Sequence, residues 1–357
     1  MKAALWYGKH DLRIEEIQRP KKLAPEEVIV KVKFCGICGS DLHEYTDGPQ
    51  YIPKKPHPLT GTTSPLILGH EFSGEIVELG QDVKDWNVGE RVVIMPALFC
   101  GKCYYCLRGL QHQCIACGAS GLSWYWGGLS EYTIVKDYEL VRMPDALTFE
   151  EGAVMEPATV AVYSVDRGGV RLGDKVFITG DGPIGCLMAM AVKAAGVSEL
   201  YMTAKRPGRF KFLKELDIAT ALYNPFEDKD YKNRILEATN GIGVDVAIEC
   251  AGKEKSINDC FDVLRRRGTY VQVGLNVGNV QVNPWLWAHK ELNMVGIWAY
   301  HVYDFSKAID LVVAGKFPVK KVITKIIKIN DVVTEGFDRL IADKEGKEIK
   351  IIVSLDS

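Results

Sequence analysis

Residues 174–179 (Asp-Lys-Val-Phe-Ile-Thr) form a short apolar strand pattern that runs directly into Gly180-Asp-Gly-Pro-Ile-Gly185. An Ala- and Met-rich helical stretch follows over 183–195 and stops at Gly196. Proline near the first helical position and glycine just past the last are ordinary helix boundary signals. The pattern then repeats. Strands are predicted at 200–204, 221–223, 245–250, 270–273 and 293–298, with helices at 207–216, 229–239 and 256–266 between them. Strands alternating with helices imply parallel βαβ units and a doubly wound sheet. In that setting Gly180, Gly182, Pro183, Ile184 and Gly185 match a dinucleotide-binding turn. The glycines allow a tight bend, close approach of backbone to a pyrophosphate and close helix–strand packing, while the helix N-terminus offers free N–H groups. Asp181 has no role in that reading.

An NAD site normally carries Asp or Glu at the end of the second strand, about 20 residues on. Ala204 stands there instead, followed by Lys205, Arg206 and Arg209. Cations at a helix start oppose the helix dipole. The 2′-phosphate of NADP offsets that, so NADP(H) is expected over NAD(H). The alternative for these residues is a solvated basic turn.

The first 150 residues have a different rhythm. Short β-rich runs at 27–34, 71–79, 91–95, 129–135 and 139–142, flanked by Gly, Pro, Asn and Asp, read as a largely antiparallel sheet or barrel. Residues 44–64 read as a long loop, of the kind that is usually functional or disordered. The tail 300–357 gives a helix at 304–314, a strand at 326–329, a helix at 332–342 and a strand at 350–353. At 357 residues the chain has room for two domains. A formal charge of −2 lacks the basic excess of a nucleic-acid binder. The longest apolar stretch, 183–192, is too short to span a bilayer, and the N-terminus lacks the apolar core of a signal peptide. A cytoplasmic protein is expected, in which ten cysteines mean metal sites or buried thiols rather than disulfides.

Cys100, Cys103, Cys106 and Cys114 place four thiols within fifteen residues. Four cysteines at such spacing close a tetrahedral zinc site with no position left for substrate, hence a structural one. An iron–sulfur cluster or free thiols are the alternatives, and Cys117 and His112 are contenders for the fourth ligand. A second set is scattered: Cys38, Ser40, Asp41 and His43 in one short run, His70-Glu71 before a strand, and Glu156 at a helix start. Singly, each also reads as a buried thiol, a core histidine or a surface acid.

Taken together, Cys-Gly-Ile-Cys-Gly-Ser-Asp-Leu-His (35–43), Gly-His-Glu-Phe-Ser-Gly-Glu (69–75), the four-cysteine lobe, Glu156-Pro157 and Gly-Asp-Gly-Pro-Ile-Gly resemble the zinc-dependent medium-chain dehydrogenases/reductases over essentially the whole chain. Within that family the 44–64 loop is most similar to that of 2,3-butanediol (acetoin) dehydrogenases, with sorbitol and threonine dehydrogenases as near relatives. The resemblance implies an α/β protein with a GroES-like β-barrel catalytic domain (1–157 and 299–357) and a Rossmann domain (158–298). It implies two zinc ions per subunit. Cys38, His70 and Glu71 would hold the catalytic one, with Glu156 as fourth or exchanging ligand and Asp41 orienting His70. Ser40 and His43 would relay the proton. It also implies a homodimer or homotetramer, with strand 293–298 extending the sheet across an interface. The basic run after Ala204 is similar to NADP-dependent members and departs from NAD-dependent butanediol dehydrogenases.

The reaction so implied moves hydride between NADP(H) and a small secondary alcohol or ketone, most simply a vicinal diol or α-hydroxyketone. Polyol or threonine substrates, or NAD, are alternatives, and a non-catalytic NADPH- and zinc-binding homologue is a third class. Tyr51, Trp124, Trp126, Trp285 and Trp298 are aromatics that could narrow a substrate pocket. No nucleic-acid or membrane partner is expected.

Overall fold

The computed structural model describes residues 1–275 and 278–356. The chain has two units, a largely antiparallel β unit and a doubly wound α/β unit. The alternation after residue 174 gives a six-stranded, wholly parallel sheet. Its order is Ala221–Tyr223, Glu199–Thr203, Lys175–Thr179, Val244–Glu249, Leu264–Gln272, Asn293–Gly296. The order reverses between Lys175–Thr179 and Val244–Glu249, which puts a topological switch point, the usual ligand crevice of such sheets, at the Gly180 turn.

The N-terminal segment builds a three-stranded sheet around Lys2–Gly8 and a seven-stranded sheet around Glu27–Gly36. Glu27–Gly36 pairs antiparallel with Glu71–Leu79, with Tyr132–Lys136 and with the C-terminal strand Lys350–Ser354. The tail therefore returns to the first unit, and Ile323–Lys328 adds parallel to Lys350–Ser354. The helix Met155–Arg167 joins the two units. Its buried Met155, Ala158, Ala161 and Val162 share one core with Val93 and Ile352 from the first unit and Val176, Ile178 and Leu187 from the second.

Three expectations need correction. Residues 44–47 are not loop but the end of a helix, Gly39–Asp47, started because the Asp41 carboxylate accepts the Cys38 N–H at 2.9 Å. The helix predicted over 256–266 ends at Val263, and Leu264–Gln272 is one strand. There the basic run Arg265–Arg266–Arg267 hides a strand start, with Leu264 already paired to Val244 and Arg267 in the left-handed region at φ 57°. Residues 332–338 form a π-helical turn, continued as α-helix by Arg339–Ala342.

One fully buried acid in this framework makes no salt bridge among the described residues. Glu139 is fully buried, accepting from Ser120 Oγ at 2.5 Å and Lys136 N at 2.7 Å. Burial pushes its carboxyl up to about 8. Between the unfolded value near 4.5 and about 8 the folded chain therefore holds one proton that the unfolded chain has lost. Stability must fall as pH rises through that window, by up to about 1.4 kcal/mol per unit. Glu139→Gln is expected to flatten this slope in urea melts taken from pH 5 to 8, with the largest stabilisation at the alkaline end.

Candidate active site

The cluster of Cys38, His70 and Glu71 is assembled by strand register. Gly36 lies opposite Glu71, and Ile352 opposite Gly36, so three chain segments meet at one point. A Cβ on Gly36 would stand 2.3 Å from Glu71 Oε2 and 3.0 Å from the Ala153 carbonyl, so only glycine admits the carboxylate there. Beyond Gly36 the chain turns at Cys38 into the helix Gly39–Asp47. The Cys38 thiol, a His70 ring nitrogen and a Glu71 carboxylate oxygen all lie within 4.8 Å of one another. Asp41, fully buried, faces His70 Nδ1 at 3.4 Å, while Ser40 Oγ lies 3.2 Å from Nε2. Asp41 Oδ1 and His70 Nδ1 are both buried and make no hydrogen bond among the described residues, and the two face each other as a close pair on the side of the ring away from Ser40. Burial alone would lower the His70 pKa; Asp41 and Cys38 outweigh it and hold it well above the ordinary value.

Glu156, in the first turn of Met155–Arg167, is outside that three-donor set but near enough to feel His70, Glu71 and Lys350. Burial pushes its carboxyl up to about 7, and the Tyr300 hydroxyl, itself raised by burial, lies near enough to be raised further by its charge. His43 lies on the exposed side of its helix, one turn from Ser40.

Two residues of this site carry no motif signal. Lys350 is 2% exposed; its Nζ reaches Glu71 at 2.7 and 2.8 Å and the Ile37 carbonyl at 3.0 Å. The one hint is a lysine opening the apolar strand Lys-Ile-Ile-Val. Glu44, fully buried, accepts the backbone N–H groups of Gln50, Tyr51 and Ile52 and so folds the start of the following loop onto the helix. That loop holds Tyr51, whose hydroxyl is raised by burial and by the charges of Glu44 and Cys38. Of the other aromatics, Trp285 is exposed and stacks on His289, Trp298 is exposed, Trp124 faces Lys136, and Trp126 packs on Tyr125.

The lobe is a separate centre. The thiols of Cys100, Cys103, Cys106 and Cys114 lie within 4.8 Å of one another, with Cys103–Cys106 at 3.5 Å and Cys100–Cys106 at 4.0 Å. A tetrahedron with 2.3 Å zinc–sulfur bonds has edges of about 3.8 Å, which the two distances of 3.5 and 4.0 Å bracket, so this donor set fits zinc. Backbone N–H groups lower the Cys103 thiol, while burial raises Cys106. Cys117 points its thiol at the Gly118 carbonyl, and His112 packs beside Tyr163 and His301; neither belongs to the cluster.

At the glycine turn, a Cβ on Gly185 would collide with the Gly180 carbonyl at 2.1 Å, whereas a Cβ on Gly182 would meet nothing within 4 Å. Gly182 caps the helix Pro183–Ala194 and borders open space, where a diphosphate could approach the first-turn N–H groups of Ile184 and Gly185. The residues present fit the cofactor the fold implies. Ala204, almost fully buried, ends the second strand without a carboxylate. Lys205 is exposed, and Arg206 is bound to Asp181. Arg209 is only 3% exposed and donates to the Glu348 carbonyl beneath the turn.

Residues 24–145 match the alcohol dehydrogenase GroES-like domain, and residues 183–314 match the zinc-binding dehydrogenase family. The chain belongs to the zinc-dependent medium-chain alcohol dehydrogenases. As such it is an oxidoreductase of CH–OH donors. It is 40% identical over 354 residues to the (R,R)-butanediol dehydrogenase of Bacillus subtilis, covering 99% of each chain. It is 34% identical to D-xylulose reductase A of Aspergillus niger, covering 97% of this chain and 94% of that one. Among solved structures, the 2R,3R-butanediol dehydrogenase from Bacillus subtilis superposes with a TM-score of 0.91 at 38% identity, with 99% of each chain covered. A zinc-binding dehydrogenase from Sinorhizobium meliloti bound to NADP superposes with 0.87 at 28% identity, over 99% of this chain and 98% of that one.

The Lys350–Glu71 pair gives a direct test. Lys350→Met leaves a buried carboxylate without its cation, at a cost of about 3–5 kcal/mol in metal-free protein. Chemical unfolding is expected to show that loss, and to show a smaller one after zinc is added, because a bound cation compensates the same carboxylate. An equal loss in both states would separate Glu71 from the metal.

Proposed function

We propose that this dehydrogenase exchanges hydride between NADP(H) and a small vicinal diol or α-hydroxyketone of the 2,3-butanediol/acetoin type. The observation that carries it is the convergence of Cys38, His70 and Glu71 into one three-donor cluster, with Glu156 close by, in a chain whose relatives include butanediol dehydrogenases. In this reading Cys38, His70 and Glu71 hold the catalytic zinc, Glu156 is its fourth or exchanging neighbour, and the four lobe cysteines hold the structural zinc. Zinc supplies Lewis acidity, which lowers the pKa of an alcohol by several units. The nicotinamide supplies or accepts the hydride.

The remaining work belongs to the chain. Asp41 holds the His70 ring in register. Lys350 restrains Glu71. Ser40 Oγ would accept the substrate proton while releasing its own hydroxyl proton, and His43, on the exposed side of the same helix, would pass a proton on to solvent. Tyr51 and its loop, pinned by Glu44, border the pocket and limit it to small substrates. Gly180, Gly182, Pro183, Ile184 and Gly185 cradle the diphosphate. Ala204 leaves room at the ribose, and Lys205 and Arg206 face the 2′-phosphate, with Arg209 supporting the turn from below. NADP in the Sinorhizobium meliloti neighbour supports that choice.

The same reading divides the chain into a catalytic unit of 1–157 and 299–357 and a cofactor unit of 158–298. It places the protein in the cytoplasm; among the described residues no helix is long and apolar enough to cross a membrane, which does not decide that location. The edge strand Asn293–Gly296, with Met294 and Trp298 exposed beside it, is the surface through which it would form a homodimer or homotetramer.

Steady-state kinetics with butanediol stereoisomers, acetoin, sorbitol and threonine, each with NADP and NAD, tests substrate and cofactor together. The highest kcat/KM is expected for a butanediol or acetoin with NADP. Arg206→Met is expected to cost about 1.5–3 kcal/mol with NADP and little with NAD. Cys38→Ser is expected to abolish turnover while elemental analysis still finds one zinc, in the lobe; full activity in that variant would overturn the assignment.

A further inference from the structure

Asp181 is the one residue of the glycine turn that the motif leaves unexplained. An acid between Gly180 and Gly182 sets negative charge beside the path of a diphosphate, so its charge must be offset from within the protein. Its side chain is 5% exposed. One carboxylate oxygen, Oδ2, accepts the backbone N–H groups of both Lys205 and Arg206 at 3.0 Å, and Oδ1 accepts Arg206 Nη2 at 3.1 Å. All three donors belong to the turn that follows the strand Glu199–Thr203. Burial alone would raise the Asp181 pKa; these partners outweigh it and hold it below the ordinary range.

Arg206 is held along its stem as well. A Cβ on Gly346 would come within 2.7 Å of Arg206 Cβ and 3.1 Å of its Cδ. The loop carrying Gly346 is fastened in turn by Gly208, whose N–H donates to the Glu345 carbonyl at 2.8 Å. Arg206 Nε is buried with no partner. Arg206 is therefore a cation with its backbone, stem and guanidinium all fixed, unlike a free surface arginine. A free arginine gives up much rotamer freedom when it grips a phosphate; one already held gives up less.

We propose that Asp181 is a positioning residue for cofactor choice, holding the 205–206 turn and the Arg206 side chain so that Lys205 and the donors of Arg206 not used by Asp181 meet a ribose 2′-phosphate. The inference rests on the NADP reading of Ala204, Lys205 and Arg206. Because Asp181 is already engaged by three donors, its charge is neutralised within the turn instead of facing the incoming phosphate.

Calorimetry of the zinc-loaded protein with 2′,5′-ADP and with 5′-AMP reads the adenosine end alone, without turnover. The unsubstituted protein is expected to bind 2′,5′-ADP more tightly. The reverse order overturns the NADP reading and this inference with it. Asp181→Ala is expected to narrow the ratio of the two affinities by about fivefold or more, through 2′,5′-ADP, with 5′-AMP changed by less than about twofold. Asp181→Asn keeps an oxygen for the Lys205 and Arg206 N–H groups and is expected to recover part of the ratio. A preference that Asp181→Ala leaves intact overturns the inference alone. So does a gain in 2′,5′-ADP affinity in that variant, which would mean that Asp181 repels the phosphate.

Discussion

A lysine and a glutamate with almost no access to water hold the catalytic unit together. Lys350 opens the last strand and Glu71 opens a strand nearly 280 residues earlier, and they meet at 2.7 Å beside Cys38 and His70. Neither charge could be buried alone, since desolvation of a single ion costs several kcal/mol. Their pairing requires the C-terminal strand to dock against Glu27–Gly36, and the Glu71 carboxylate fits there only because position 36 has no side chain. The return of the tail to the first unit, the seating of Glu71 beside His70 and the absence of a side chain at Gly36 are thus one constraint expressed in three places.

Around that pair the site divides its labour by distance from the reacting atoms. Cys38, His70 and Glu71 present three different donor types within one small volume. Asp41 and Lys350 do not enter that volume but hold His70 and Glu71 in it. Glu44 acts further out, gathering backbone N–H groups so that the loop after the helix has a defined start. The helix Met155–Arg167 ties these parts to the cofactor sheet, because its buried face belongs to the core of both units. Glu156 consequently moves with that shared core and not with a surface loop.

Most of this site was legible in the sequence because its chemistry is carried by short contiguous motifs. Cys38 to His43, His70-Glu71, the lobe cysteines and the glycine turn each announce themselves within a few residues, and strand–helix alternation supplies the frame. What was not legible depends on pairing between distant segments. Lys350 looks like an ordinary strand-start lysine until its neighbour strand is known. Tyr300 and Glu44 carry no spacing signal toward Glu156 or the loop. The helix Gly39–Asp47 escaped because its start is set by a cysteine and an aspartate three residues on, not by the usual serine or threonine. The strand at Leu264 escaped because three arginines interrupt the apolar pattern. Asp181 was visible but mute: its partners lie 24 and 25 residues away and only the fold brings them to it.

The segment 343–350 touches both ends of the chemistry. Gly346 packs on Arg206, the Glu348 carbonyl takes a hydrogen bond from the buried Arg209, and two residues later Lys350 grips Glu71. This is a strap a few residues long between the 205–209 turn and the Cys38–His70–Glu71 cluster, with no flexible linker in it. Re-engineering that turn for another nucleotide is therefore not a local operation: a bulkier or displaced side chain at 206 or 209 pulls on the same short tether that sets the carboxylate beside His70.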